Sequence, residues 1–92
     1  SFELMPHVMF TSTLKTFFPN LKEEYIEADS IETLLSELEK KHQGIQGYLV
    51  DEKGQIREHV KFYIDDEPYD EKAHSALPKS AQIHIIQAIS GG

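Results

Sequence analysis

The sequence closes on Ile89-Ser90-Gly91-Gly92, and a terminal glycine pair is the arrangement in this chain best suited to chemistry. Glycines at an end pack nothing, and each loses more backbone entropy on ordering than any other residue. With glycine at about 7% of residues, a Gly-Gly ending arises by chance in roughly one chain in two hundred. Such a pair is either slack or a tool. As a tool its use is access, because residues without Cβ let a backbone thread a narrow channel until the final carboxylate reaches a reactive centre in another protein. A carboxylate is a poor acyl donor until one oxygen becomes a good leaving group. Attack on the α-phosphate of ATP achieves this by forming an acyl adenylate, from which sulfide or a persulfide can displace AMP. The substrate in that chemistry is the chain itself, at Gly92.

Other reactive side chains offer less. There are no cysteines, which removes disulfides, thiolate metal sites and any cysteine nucleophile, so sulfur handled here is handled without a side-chain thiol. The five histidines lack close metal spacings such as HxxxH. His7, His59 and His84 could share the wet face of neighbouring strands, where solvated histidines are expected rather than ligands. Asp65, Asp66 and Glu67 form a charge run of the kind that marks a solvated turn, and no nucleophile with an adjacent base can be singled out. The chain is therefore expected to be no enzyme, and no metal site is expected in it.

Charge and length narrow the partners. A net charge of −7 argues against nucleic acid, whose phosphates need clustered Lys and Arg, and an acidic chain would sooner meet a basic protein. The longest apolar runs are a few residues, far short of the ~20 that span a bilayer, so no membrane partner and a cytoplasmic location are expected. At 92 residues, 39% of them hydrophobic, one core and one domain over residues 1–92 are expected, monomeric when free.

The elements that must position the tail follow from periodicity. His7 to Thr13 alternates as a strand with Val8 and Phe10 on one face; Glu23 to Ala28 is a second, joined through a Pro19-Asn20 turn into an opening hairpin. Ile31, Leu34, Leu35 and Leu38 fall at i, i+3, i+4 and i+7, predicting a helix capped by Asp29 or Ser30, with Glu32 completing a capping box from Asp29. Lys40, Lys41 and His42 suit its last turn and Gly44 its stop. A loop or short helix follows, then a turn at Asp51 to Gly54. Glu58 to Ile64 alternates, with Val60, Phe62 and Ile64 opposite His59, Lys61 and Tyr63, and Gln82 to Ile89 forms the last strand with Ile83 and Ile85 inward. The pattern is α+β, a mixed sheet burying one face against one main helix, which is the β-grasp arrangement.

With that pattern in place, the ending LPKSAQIHIIQAISGG resembles that of the ubiquitin-like sulfur carriers, the family of the molybdopterin synthase small subunit and the thiamine-pathway sulfur carrier. Leu77, Ile83, Ile85, Gly91 and Gly92 occupy the fixed positions of a family ending of the form LxDGDEVxIxPxxxGG. The chain departs from it at Lys79-Ser80-Ala81-Gln82, in place of an acidic turn, and at Gln87, in place of proline. IHIIQAISGG also aligns without gaps on ubiquitin's LHLVLRLRGG, which puts His84 and Ile86 where ubiquitin exposes its partner-binding patch. The stretch from Ser36 to Glu67 looks most like the carriers of cysteine biosynthesis, with Ile45, Leu49, Asp51, Gly54, Ile56, Arg57, Val60, Tyr63 and Asp66 in matching places.

The resemblance implies a division of labour. An E1-like enzyme adenylates Gly92 with ATP, sulfur converts it to a thiocarboxylate, and a second, biosynthetic enzyme accepts that sulfur for cysteine or the molybdopterin cofactor. Residues 89–92 form a flexible tail, with Ile89, Ser90 and Gly91 as the lead that enters both active sites, while His84 and Ile86 dock. Two alternatives share much of the sequence: a ubiquitin-like modifier joined to lysines, and a β-grasp adaptor with no terminal chemistry.

Overall fold

The apolar stripe of Ile31, Leu34, Leu35 and Leu38 is the buried face of the longest helix, α2 (Ile31–Lys41). In the computed structural model, which describes residues 4–73 and 76–87, this helix packs on one face of a mixed sheet. Ser30 is its N-cap: its hydroxyl oxygen accepts the Thr33 N–H at 3.1 Å, while its own O–H donates to Thr33 Oγ1 at 3.0 Å. The expected box from Asp29 to Glu32 is thus displaced by one residue, because Ser30 holds the extended backbone that a cap requires. Lys40 and Lys41 lie in the last turn, and His42 closes it with its N–H on the Leu38 carbonyl.

Gly44 takes φ +97°, a left-handed conformation open to glycine at little cost, and leads into the short helix α3 (Ile45–Leu49). The Glu39 carboxylate reaches across this corner and accepts the N–H groups of Gly44 and Gln46, each at 2.9 Å. Those two amide bonds hold its pKa below the usual value of 4.5. Beyond α3, Val50 bridges to Ile56 around the Asp51–Gly54 turn, where Asp51 Oδ1 accepts the N–H of Lys53 and of Gln55.

Among the described residues five strands build the sheet in the order β2-β1-β5-β3-β4: β1 (His7–Phe10), β2 (Glu24–Tyr25), β3 (Val60–Ile64), β4 (Glu67–Pro68) and β5 (Gln82–Gln87). β5 is central, parallel to β1 and antiparallel to β3. Asp65 and Asp66 both take positive φ in the two-residue turn from β3 to β4, as hairpin turns of the primed type require. Asp65 then ties that turn to the start of β5, exchanging backbone and side-chain bonds with Gln82 at 2.8 and 2.9 Å.

Two strand expectations are corrected. The first strand stops at Phe10, and Thr11 begins a helix, α1 (Ser12–Phe17), that the alternation through Thr13 did not predict. Leu14 explains the difference: as a helical residue it is fully buried in the core, whereas a continued strand would carry it past the sheet. β2 shrinks to two residues, flanked by the buried Leu21 and Ile26, and still pairs antiparallel with β1. The opening is therefore β-α-β rather than a hairpin with a tight turn.

Glu39 carries the pH dependence that this geometry generates. A carboxylate with a depressed folded pKa contributes stability that is present above its unfolded value near 4.5 and is lost as pH falls through the folded value. Glu39→Gln should therefore lower the urea midpoint at pH 7 and leave it nearly unchanged near pH 3, so that the fall between about pH 5 and pH 3 is flattened.

Candidate functional site

The sheet has two unlike faces because side chains alternate along each strand. Val8, Ile83, Ile85, Val60 and Phe62 point into the core and are buried. The opposite face carries His7 and Met9 of β1, His84 and Ile86 of β5, and Lys61 and Tyr63 of β3, none of them fully buried. Register places His84 between Met9 on one side and Tyr63 on the other, with Ile86 beside Lys61. The predicted docking pair therefore shares one outward face, with apolar and aromatic neighbours that single-strand alternation could not reveal, since they come from other strands.

Of the three histidines expected on that face, two are there. His7 stacks on Tyr25 with centroids 4.6 Å apart, and its Nδ1–H donates to Gln82 Oε1 at 3.2 Å. His59 belongs elsewhere: it sits in the turn before β3 and meets Tyr48 edge-on at 6.3 Å. β3 begins one residue later, at Val60, so the alternation starting at Glu58 overran the strand. His42 bonds the Glu24 carboxylate at 2.8 Å and joins β2 to the end of α2, with Lys41 also 3.6 Å from Glu24. Among the described residues, no three His, Cys, Asp or Glu side chains cluster as a metal site.

The tail itself, Ile89, Ser90, Gly91 and Gly92, lies outside the described residues, as does the expected last stretch of the strand beyond Gln87. What is described is its root. Gln87 ends β5 with its backbone N–H on Thr11 Oγ1 at 3.2 Å and its Nε2–H on the Tyr48 hydroxyl at 2.8 Å. From there the five residues to Gly92 reach at most about 17 Å when extended. Tyr48 stands among Phe17, Phe18 and His59, and Phe17 is 61% exposed. This aromatic group beside the root was not anticipated, because its members come from α1, α3 and the turn before β3, and α1 itself was missed.

A five-stranded mixed sheet with the last strand central and one long helix across it is the ubiquitin-like β-grasp fold. No family model matches the chain, and neither does any curated protein sequence. Solved structures do. CysO from Mycobacterium tuberculosis superposes with a TM-score of 0.77 at 22% identity, covering 91% of this chain and 99% of that one. A chain of the BexX/CysO complex from Amycolatopsis orientalis gives 0.79 at 20%, covering 95% and 99%. The small archaeal modifier protein 1 from Methanosarcina acetivorans gives 0.74 at 19%, covering 95% of each chain. At these identities the likeness is one of fold. Among the described residues no helix is long and apolar enough to cross a membrane.

The two faces of β5 predict unequal costs. Ile85→Ala empties a fully buried site and should lose about 3 kcal/mol, whereas Ile86→Ala on the outer face should lose roughly 1 kcal/mol or less, both read from urea unfolding. Equal losses would contradict the register.

Proposed function

We propose that this protein is a sulfur carrier: an E1-like enzyme adenylates the Gly92 carboxylate, sulfur replaces AMP to leave a thiocarboxylate, and a biosynthetic enzyme takes the sulfur. The observation that carries the reading is the placement of the Gly-Gly end. It lies within five residues, in sequence, of Gln87, the last described residue of β5, the central strand of a β-grasp sheet. The sequence resemblance to the carrier family covers the same strand and ending. The ATP belongs to the activating enzyme; this chain supplies the acyl group and acts as a co-substrate. A cytoplasmic setting fits that use of ATP.

Each part has its task in this reading. Ile89, Ser90 and Gly91 lead the terminus into a channel, where the missing Cβ of Gly91 matters most. His84 and Ile86 dock on the activating enzyme, framed by Met9, Tyr63 and Lys61. Seven net negative charges favour partners with basic faces. Cysteine biosynthesis and the molybdopterin cofactor are the acceptors suggested by the sequence resemblance. The modifier reading keeps a specific support of its own, the fold likeness to a small archaeal modifier protein. It uses the same adenylate and ends in an isopeptide bond to lysine.

Intact mass spectrometry of the protein from its host separates these outcomes. A carrier shows the species in which one carboxylate oxygen of Gly92 is exchanged for sulfur, alkylated at the C-terminus by a thiol reagent. Lysine-linked Gly92 remnants on other proteins, with no sulfur-loaded form, would instead establish the modifier. Gly91→Val should leave thermal unfolding unchanged and suppress thiocarboxylate formation, and normal loading would sink the channel role. Ile86→Asp should raise KM for the activating enzyme by about tenfold with kcat held, as loss of an apolar contact at an interface does.

A further inference from the structure

We infer that Tyr48 and Thr11 clamp Gln87 and thereby set the direction in which the terminal segment leaves the sheet, which makes Gln87 and Tyr48 positioning residues for activation of Gly92. This deepens the carrier reading and rests on it.

Both hydrogen-bonding ends of Gln87 are used in ways that ordinary strand pairing does not require. Its backbone N–H goes to the Thr11 hydroxyl at 3.2 Å. Thr11 is the N-cap of α1, where a threonine hydroxyl ordinarily accepts an N–H of its own helix. Here it makes no such bond; apart from a contact with the Thr13 hydroxyl, it serves the end of β5. The Gln87 side chain donates to Tyr48 Oη at 2.8 Å. Tyr48 is a firm post, packed against the core and held by Phe17 at 5.3 Å and Phe18 edge-on at 5.7 Å.

The clamp also has a cost. Among the described residues, Gln87 Oε1 is the only buried side-chain polar atom without a hydrogen-bond partner. An unmet buried acceptor is destabilising, and a leucine or methionine of similar size would avoid it. What the glutamine offers against that penalty is its Nε2–H bond to the Tyr48 hydroxyl. The chain also departs at this position from the proline of the carrier-type ending. Proline fixes φ and has no N–H to satisfy. Since the Gln87 N–H points to Thr11 and not to β3, a proline there loses no bond to β3. Two hydrogen bonds here do the stiffening that a ring does there.

The test uses the full chain with its host's activating enzyme, ATP and hydrosulfide, with Gly92 thiocarboxylate followed by intact mass under steady-state conditions. Wild type must load first; if it does not, the carrier reading fails before the clamp is examined. Given loading, Tyr48→Phe, which removes one oxygen and keeps the ring packing, and Gln87→Ala should each lower kcat about fivefold with KM unchanged, the size expected for one hydrogen bond lost from the productive geometry. Gln87→Pro should load faster than Gln87→Ala. Thermal melts confirm that each variant folds. Unchanged kcat in both Tyr48→Phe and Gln87→Ala, an effect confined to KM, or Gln87→Pro no faster than Gln87→Ala would each overturn the clamp.

Discussion

Everything in this protein hangs on the central strand. β5 pairs with β1 on one side and β3 on the other, whereas the outer neighbours of β1 and β3 are the two-residue strands β2 and β4. Its inward residues, Ile83 and Ile85, are fully buried against the leucines of α2 and α3. A strand held on both edges and on one face cannot slip in register, because a one-residue shift would turn Ile83 and Ile85 outward and bring His84 and Ile86 into the core. The same constraint fixes the outer face. His84 lies between Met9 and Tyr63 because β5 does, and the end of the strand arrives beside Thr11 and Tyr48 for the same reason.

This explains which parts could be read from the chain alone. Periodicity reports burial, so the helix of Ile31, Leu34, Leu35 and Leu38 and the inward pair Ile83 and Ile85 were legible at once. Element ends were less so, since they depend on capping and on what the next element must bury. Of the two caps the sequence allowed, Asp29 and Ser30, the helix uses Ser30, and β3 opened at Val60 instead of Glu58. The omission of α1 has a sharper cause. Phe10-Thr11-Ser12-Thr13 is rich in residues that suit strands, and only the tertiary demand to bury Leu14 turns the chain helical. With α1 missed, Thr11 and Phe17 could not be connected with Gln87 and Tyr48. The His84–Ile86 face was legible in part: alternation and alignment placed the pair outward, but its neighbours depend on strand order.

The distribution of polarity separates structure from use. Among the described residues none of the fully buried side chains is polar or charged, and the acidic groups work at the rim. Asp51 and Asp65 tie turns, Glu39 satisfies two amides at the α2–α3 corner, and Glu24 holds His42. The first three are spent on backbone geometry, and Glu24 on a side-chain pair that joins β2 to the end of α2.

In the proposed cycle the terminus must enter two active sites in turn, first to be activated and then to give up its sulfur. A domain that bound its own last residues tightly would have to release them at each step, at a cost set by those contacts. A domain that left the whole strand end loose would lose the advantage of docking, because the reacting carboxylate would search a large volume after the body had already bound. The compromise is to fix a point of the fold that lies few residues from the terminus. Gln87, held from two sides and no more than about 17 Å from Gly92, is such a point. The unpartnered carbonyl oxygen of its side chain is then intelligible as the cost of placing a hydrogen-bonded stop at the edge of an otherwise apolar core.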